Sequence, residues 1–218
     1  MSYESVIFDN DGVLLTLTSR ATHQAGTRRA FERVGVVDPD PDHLEAMRIG
    51  VTPDRLDAVC RHYDLDPEQF WTARDGAISA AQRAAIRAGE KRPYGDVRAL
   101  DRLEGPLGVV SSNQQATVDF AFDHFDLDRY FETVRGRPPT VQSLHRKKPS
   151  PYYIDQALSD LGVTDALYVG DSESDVQAAQ RAGIDSAFVR RPHTVDTDLS
   201  VTPTYDVDGL AAVADLAE

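Results

Sequence analysis

The chain of 218 residues has room for one medium-sized domain, with or without a modest insertion. Its 36 acidic residues outnumber its 23 basic ones, and the resulting net charge of −13 argues against nucleic acid or an anionic membrane as a partner. Its apolar runs, such as residues 107–110 and 167–169, are too short to cross a bilayer, and its single cysteine, Cys60, cannot form an internal disulfide.

The first predicted element is a short buried strand over residues 4–8, which ends at the polar residues 9–12, Asp-Asn-Asp-Gly. The pattern from about residue 20 to residue 89 is helical and contains no convincing strand. The predicted helices of this block cover residues 20–34, 43–49, 53–63 and 67–88, the last with Asp66 as N-cap and Pro67 in the first helical position. We therefore expect residues 17–92 to form an all-helical insertion outside a sheet.

From residue 93 onward, predicted strands and helices alternate. The strands cover residues 107–111, 132–134, 166–169 and 184–189, and the helices cover residues 96–103, 116–125, 151–161, 174–182 and 207–217. Hydrophobic strands without alternation are typical of a parallel sheet covered on both faces. The predicted fold class is α/β: a doubly wound, Rossmann-like parallel sheet formed by residues 1–16 and 93–218, with the helical insertion after its first strand.

Two polar segments lie at predicted strand ends, where open α/β sheets bind ligands. Asp9 and Asp11 are spaced so that they could share a metal ion or act separately as nucleophile and proton carrier, although Asp-Gly is also an ordinary turn sequence. Ser111, Ser112 and Asn113 offer hydroxyls and backbone amides that can hold a phosphate oxygen. The alternative for these residues is capping of the next helix.

Two further segments carry charge. Lys147 and Lys148 are adjacent in a chain that has only three lysines, and prolines at 149 and 151 extend the backbone after them. Asp171 follows the strand over residues 166–169, and Asp175 lies in the first turn of the next helix, facing the same strand end. These two residues could bind a metal or orient a lysine, although helix capping and the helix dipole would also favour them.

In chain order, these segments resemble the four motifs of the haloacid dehalogenase superfamily, in its phosphoglycolate phosphatase-like branch. The matching residues are 9–13 (Asp-Asn-Asp-Gly-Val), Ser111, Lys148-Pro149 and 170–175 (Gly-Asp-Ser-Glu-Ser-Asp). They are spread over nearly the whole predicted sheet domain. The helical insertion resembles the cap of this family, with His23, Arg48 and Thr52 as candidate substrate contacts.

The resemblance implies that Asp9 attacks phosphorus and forms an aspartyl-phosphate. Asp11 protonates the leaving oxygen and then deprotonates the hydrolytic water. Mg²⁺ is bound by the Asp9 carboxylate, the Asp11 backbone carbonyl and Asp171. Asp175 holds either Lys148 or a water bound to the metal.

The resemblance also implies that Ser111, with Ser112 and Asn113 beside it, binds the phosphoryl group, and that Lys148 balances its charge. The choice of Lys148 over Lys147 depends on its contact with Pro149. Asn10 departs from the family pattern, which has an apolar residue there, so we expect altered packing rather than lost activity.

The implied function is a magnesium-dependent phosphatase that acts on a small phosphorylated metabolite. A phosphosugar mutase of the same superfamily uses the same four motifs and is the main alternative. A response-regulator-like phosphoacceptor domain also holds an acidic cluster and a lysine, but the large helical insertion argues against it. The dehalogenase branch of the superfamily needs neither a second aspartate at position 11 nor magnesium, so the presence of Asp11 favours phosphoryl transfer over dehalogenation. The expected partner is a small phosphate ester, and the expected state is a monomer or homodimer.

The charged residues are biased toward two types: 27 of the 36 acidic residues are Asp, and 20 of the 23 basic residues are Arg. Such a composition resembles that of proteins from extreme halophiles, whose acidic surfaces stay hydrated in concentrated salt. The alternative is an ordinary acidic protein. The N-terminus has no basic segment or cleavage site, so we expect no secretion signal and a cytoplasmic location.

Overall fold

The structure is a computed structural model that describes residues 3–217. Met1, Ser2 and Glu218, which belong to the predicted sheet domain, lie outside the described residues. Six parallel strands form one sheet in the order β3-β2-β1-β4-β5-β6. They are β1 (Ser5–Phe8), β2 (Leu107–Gln114), β3 (Thr133–Arg137), β4 (Ala166–Gly170), β5 (Asp185–Val189) and β6 (Tyr205–Val207). This sheet confirms the predicted α/β fold class.

Within residues 3–217, four α-helices lie between β1 and β2, and five follow β2. The first four are α1 (Arg20–Arg33), α2 (Pro41–Ala46), α3 (Pro53–Tyr63) and α4 (Pro67–Arg87). The others are α5 (Gln115–Phe125), α6 (Ser143–Arg146), α7 (Tyr152–Leu161), α8 (Glu173–Ala182) and α9 (Leu210–Ala217). Short 3₁₀ helices span Val97–Arg102 and Asp128–Tyr130. No helix within residues 3–217 is long and apolar enough to span a membrane.

Both faces of the sheet are buried, which explains the continuous apolar character of its strands. In β1, Val6 and Phe8 face the cluster formed with α5 and α9. Ile7, between them, faces the opposite cluster, formed with α7 and α8. Successive side chains of a strand point to opposite faces, so a strand buried on both faces must be apolar throughout.

The helical insertion, α1–α4, has a hydrophobic core of its own. Phe31, Phe70 and Trp71 are buried in it, and Leu144 of α6, which follows β3 in the chain, packs into the same cluster. The chain passes between the sheet domain and the insertion twice, near residues 14–16 and 92–94, and these two segments form hydrogen bonds with each other. The Thr16 amide donates to the Arg92 carbonyl at 2.9 Å, and the Tyr94 amide donates to the Leu14 carbonyl at 3.0 Å.

Several element boundaries differ from the predicted ones. The helix predicted at 43–49 begins at Pro41, because the Asp40 carboxylate caps it by accepting from the Asp42 amide at 2.8 Å. The helix predicted at 96–103 is a 3₁₀ helix. The start of the helix predicted at 207–217 is wrong: residues 205–207 form the edge strand β6, which is too short to give a clear pattern. The strand predicted at 107–111 continues to residue 114 through an irregularity in its pairing with β3.

Candidate active site

The predicted site residues meet at the carboxyl ends of β1 and β4. The strand order reverses here, because the chain runs outward from β1 to β3 on one side and from β4 to β6 on the other. The Asp9 amide donates to the Val169 carbonyl at 2.8 Å, which ties the two strand ends together. Gly12 has φ +91°, and a Cβ on it would lie 1.9 Å from Asp171 Oδ2. Only glycine lets the loop after β1 pass so close to that carboxylate.

Three carboxylates form a compact cluster at this point. Asp9, Asp171 and Asp175 each contribute an oxygen atom, and these atoms all lie within 4.8 Å of one another. Burial raises the pKa of Asp9, and the charges of Asp175 and Asp171 add to the effect, against the opposing charge of Lys148. Burial also raises the pKa of Asp171. Such a donor set fits a hard divalent cation such as Mg²⁺, which binds carboxylate oxygens and would favour their ionised form.

Lys148, rather than Lys147, points into this cluster. Its Nζ lies 2.8 Å from Asp9 Oδ1 and 2.5 Å from Asp175 Oδ1, and it also donates to the Tyr168 hydroxyl at 3.0 Å. Burial disfavours its charge, but Asp175 and Asp9 outweigh burial and raise the pKa of Lys148 well above its usual range. Lys148 therefore supplies a permanent positive charge beside Asp9. The sequence did not point to Tyr168, which resembles any other aromatic residue of a buried strand.

Asp175 is held by the first turn of α8. Its Oδ2 accepts from the Ser172 amide at 3.0 Å and from the Ser172 hydroxyl at 2.5 Å, as part of a capping box. Its Oδ1 faces Lys148. Asp175 thus both caps α8 and orients the lysine, so the capping interpretation and the functional interpretation of this residue hold together.

The Asp11 side chain lies apart from the three-carboxylate cluster, toward the helical insertion. Its carboxylate pairs with Lys91 and accepts from Asn113 Nδ2 at 2.7 Å. Lys91 is 1% exposed and also donates to the Thr18 hydroxyl at 3.1 Å. Lys91 was not among the predicted site residues, although its rarity as one of three lysines was a usable signal. The predicted metal contact of Asp11 is through its backbone carbonyl, and that contact stays a prediction.

The three polar residues of β2 have different roles in the structure. Ser111 and Ser112 line the cavity above the sheet, and the Ser111 hydroxyl accepts from the Asn113 amide at 3.1 Å. Asn113 also lines the cavity, but its side-chain amide donates to Asp11 and to Gln82 Oε1, at 2.7 and 2.9 Å. Asn113 therefore orients Asp11, and its predicted contact with a phosphate stays a prediction. Because β2 continues to Gln114, neither Ser112 nor Asn113 caps α5.

Asn10 lies in the loop after β1, where its side chain is buried and does not line the cavity. It is 1% exposed, and neither its side-chain nitrogen nor its oxygen has a hydrogen-bond partner among the described residues. Its backbone carbonyl accepts from the Leu14 and Leu15 amides at 3.0 and 2.9 Å. An unpaired buried amide of this kind costs about 1–3 kcal/mol, so the departure from an apolar residue is one of packing and stability.

A cavity of about 530 Å³ separates the strand ends from the helical insertion. Of the predicted contacts from the insertion, His23 and Arg48 line it. Burial lowers the pKa of His23 to about 4, so its imidazole is neutral at pH 7. Thr52 does not line the cavity; its hydroxyl caps α3 by accepting from the Arg55 amide at 3.4 Å.

His193 is a further neighbour of the site and was not among the predicted site residues. It lies in the loop after β5, and its Nε2 is 2.6 Å from Asp171 Oδ2. The hydrogen bond and charge of His193 lower the pKa of Asp171, against the larger effect of burial. The loop after β5 therefore helps to fix the orientation of a carboxylate in the cluster.

Comparison with known proteins gives a family match over most of the chain and shorter matches to curated relatives. Residues 6–189 match the family model of haloacid dehalogenase-like hydrolases. A phosphoglycolate phosphatase from Rhodobacter capsulatus is 36% identical over 93 residues, which span 41% of this chain and 41% of that protein. The pyrophosphatase PpaX from Bacillus cereus (strain B4264) is 32% identical over 98 residues, or 44% of each chain. The chain thus aligns with about two fifths of the length of these curated relatives.

Solved structures share the fold over nearly the full length. A predicted phosphoglycolate phosphatase from Haemophilus somnus 129PT has a TM-score of 0.66 at 21% identity, with 99% of this chain and 98% of that chain covered. CbbY from Rhodobacter sphaeroides, in complex with phosphate, has a TM-score of 0.71 at 18% identity, with 97% and 96% covered. At these identities the likeness concerns the fold alone.

Proposed function

The chain belongs to the haloacid dehalogenase-like hydrolase family, and we propose that it is a magnesium-dependent phosphatase that hydrolyses a small phosphate monoester. One observation carries the proposal: the Asp9 carboxylate faces the cavity, 2.8 Å from Lys148 and within 4.8 Å of two further carboxylates. A nucleophile, a fixed cation and a set of metal ligands therefore converge where a phosphoryl group would bind. The partial match to a phosphoglycolate phosphatase supports that branch of the family.

In the proposed reaction, an Asp9 oxygen attacks phosphorus, and the bond from phosphorus to the ester oxygen breaks. Asp11 gives its proton to the departing oxygen. A water molecule then attacks the aspartyl-phosphate, Asp11 takes the proton of that water, and phosphate and free Asp9 result. The separation of Asp11 from the carboxylate cluster supports this division of roles, because Lys91 and Asn113 hold its carboxylate on the side of the insertion.

Asp9 and Asp171, with Asp175 beside them, would hold the magnesium ion, which would neutralise negative charge on the phosphoryl oxygens. Lys148 contacts both Asp9 and Asp175, offsets part of their negative charge and faces the incoming phosphoryl group. The Ser111 hydroxyl donates to a phosphoryl oxygen. These residues reduce the repulsion between an anionic nucleophile and an anionic substrate.

The proposed metal dependence is tested with Asp171→Ala. Loss of this carboxylate should raise the magnesium concentration for half-maximal activity by roughly 10- to 100-fold. Magnesium should also raise the melting temperature of the wild type more than that of the variant. EDTA should silence the wild type, and added magnesium should restore it. Asp196→Ala, at an exposed loop position, is the matched control. Full wild-type activity in EDTA would contradict the proposal.

We also propose that residues 17–92 act as a cap over the site and that the protein is cytoplasmic. The cavity lies between this segment and the strand ends, and its volume suits a small metabolite. Cys60 is buried, and burial raises the pKa of its thiol to about 11, which keeps it unreactive and is compatible with a reducing compartment.

The halophilic character is proposed from the acidic composition alone, and salt should therefore stabilise the fold. The Debye length is about 30 Å at 0.01 M salt and about 3 Å at 1 M, so salt screens the repulsion among the 36 acidic residues. The melting temperature should rise steeply over the first few tenths molar KCl. A further rise of the melting temperature into the molar range would indicate exclusion of ions from the protein surface. Sucrose, an uncharged solute that is also excluded from protein surfaces, is the control for this effect. An unchanged melting temperature from dilute to molar KCl would contradict halophilic adaptation.

A further inference from the structure

Several arginine side chains and Lys147, none of which contacts Asp9, line the cavity. Arg74 and Arg137 both line the cavity and both pair with one carboxylate, that of Asp75, at 2.9 Å and 2.5 Å. Their guanidinium groups lie 4.7 and 4.8 Å from the Trp71 ring, so both are held rigidly. Two buried cations on a single anion leave an excess of one positive charge in the cavity wall, in a chain whose net charge is −13.

A second pair of arginines also shares a single carboxylate, at a more exposed position. Arg20 and Arg48 line the cavity and share the carboxylate of Glu45, at 3.0 and 2.7 Å. The side chain of Arg20 is 71% exposed and that of Arg48 only 14% exposed. Arg48 is therefore the fixed member of this pair, at the edge of the cavity.

Lys147 adds a cation that forms no ion pair with a carboxylate among the described residues. Its backbone is extended, so its side chain diverges from that of Lys148: Lys148 reaches Asp9, whereas Lys147 crosses to the insertion and donates to the Val51 carbonyl. Lys147 lines the cavity and is half-buried. A half-buried ammonium in contact with only a neutral acceptor retains capacity to bind an anion.

We propose that the part of the cavity around Lys147 is a second anion subsite, in which Lys147 binds a carboxylate or phosphate carried by the leaving group of the substrate. The substrate class is then a phosphate monoester with a second anionic group, and the subsite rests on the phosphatase function proposed above. The phosphoryl group undergoing transfer already has Lys148, Ser111 and the metal ligands. The cations around Lys147 have no such role in the reaction, and their field favours a second negative charge. Arg74 and Arg137 supply part of that field, because their own hydrogen bonds go to Asp75, to backbone carbonyls and to the Ser143 hydroxyl.

Matched substrates test the subsite and identify the anion. One pair is 2-phosphoglycolate against 2-hydroxyethyl phosphate, which differ by a carboxylate, and the other is fructose 1,6-bisphosphate against fructose 6-phosphate. The wild type should favour the doubly anionic member of at least one pair by about 10- to 100-fold in kcat/KM. Lys147→Met should bring this ratio close to one, and Lys147→Arg should keep most of it. Arg29→Met, which removes one positive charge from an exposed position outside the cavity, should leave the ratio unchanged.

The acid–base behaviour of Lys147 gives a second readout. Burial, with the charges of Arg137, Arg74 and Arg55, lowers the pKa of Lys147 to about 8, against the opposing charge of Asp75. In the wild type the preference for the doubly anionic substrate should therefore decline as the pH rises through about 8, because the neutral amine no longer attracts the anion. Lys147→Arg keeps its charge and should show no such decline.

Direct binding separates failure of the subsite from failure of the phosphatase function. Calorimetry on Asp9→Asn, with and without Lys147→Met, uses 2-phosphoglycolate, fructose 1,6-bisphosphate and inorganic phosphate as probes. Lys147→Met should weaken binding of a doubly anionic ester about 10- to 100-fold and that of inorganic phosphate far less. Equal affinities in the two backgrounds, or wild-type ratios near one for both substrate pairs, would overturn the subsite even if p-nitrophenyl phosphate is hydrolysed. Hydrolysis of no ester would overturn the phosphatase function, while the binding comparison would still decide the subsite.

Discussion

Asp9→Asn is expected to abolish phosphatase turnover, with a loss of about 10⁵-fold or more, the scale seen when a covalent nucleophile is removed from an enzyme. The asparagine side chain keeps the shape of aspartate but is neither anionic nor able to form an acyl phosphate. Phosphate release measured over several hours, with mass spectrometry for a phosphorylated protein, tests this. Asp196→Asn, at an exposed loop position, controls for the chemical change itself. More than trace activity in the variant would show that Asp9 is not the nucleophile.

The same variant should remain folded. Burial raises the pKa of Asp9 in the folded protein, so its ionisation at neutral pH costs stability in the absence of metal. This cost begins as the pH rises above the pKa of the unfolded state and is complete above the folded-state pKa. Asparagine removes it, and Lys148 keeps its partner Asp175 at 2.5 Å. In EDTA at pH 7, the melting temperature of Asp9→Asn should equal or exceed that of the wild type.

Asp11→Ala is expected to reduce turnover by about 10²- to 10⁴-fold, the usual value of general acid–base catalysis. Both the departure of the leaving group and the hydrolysis of the aspartyl-phosphate should slow. Because p-nitrophenolate leaves without protonation, p-nitrophenyl phosphate should lose less in the first step than an alkyl phosphate does. Pre-steady-state kinetics with the two substrates measures this difference. Equal losses in the first step would contradict the role of Asp11 as general acid.

Asp11→Ala also removes the carboxylate that pairs with the buried ammonium of Lys91, so part of its effect could be structural. Asp11→Asn provides the matched control, because its amide oxygen still accepts a hydrogen bond from Lys91. If Asp11 acts as a proton carrier, both variants should lose activity to a similar extent. If the loss is confined to Asp11→Ala, the role of Asp11 is to hold Lys91 and the insertion.

The products of the wild-type reaction separate the hydrolase from the mutase alternative. Given a sugar monophosphate, a phosphatase releases free phosphate in proportion to the substrate consumed. A mutase instead gives an isomeric sugar phosphate with little free phosphate. Phosphate release followed together with phosphorus NMR of the sugar phosphates distinguishes the two.

Local sequence patterns predicted the strands that carry the site, and with them the positions of Asp9 and Asp171. The physical reason is that a strand buried on both faces must be apolar, so the first polar residue marks its end. The carboxyl ends of parallel strands lie at one edge of the sheet, so residues far apart in the chain could be assigned to one site. The short edge strand β6 was not predicted, because three residues are too few to show a clear hydrophobic pattern.

Only the tertiary structure decided the partners of these residues. The pairing of Lys91 with Asp11 spans 80 positions in the chain, and the contact between His193 and Asp171 spans 22. Neither contact produces a periodic pattern in the sequence. Each depends on how segments that are distant in the chain approach one another in the folded protein. The family resemblance favoured Lys148 over Lys147 because Lys148 precedes Pro149. Adjacent residues on an extended backbone point in opposite directions, so only the surrounding fold determines which of the two faces Asp9.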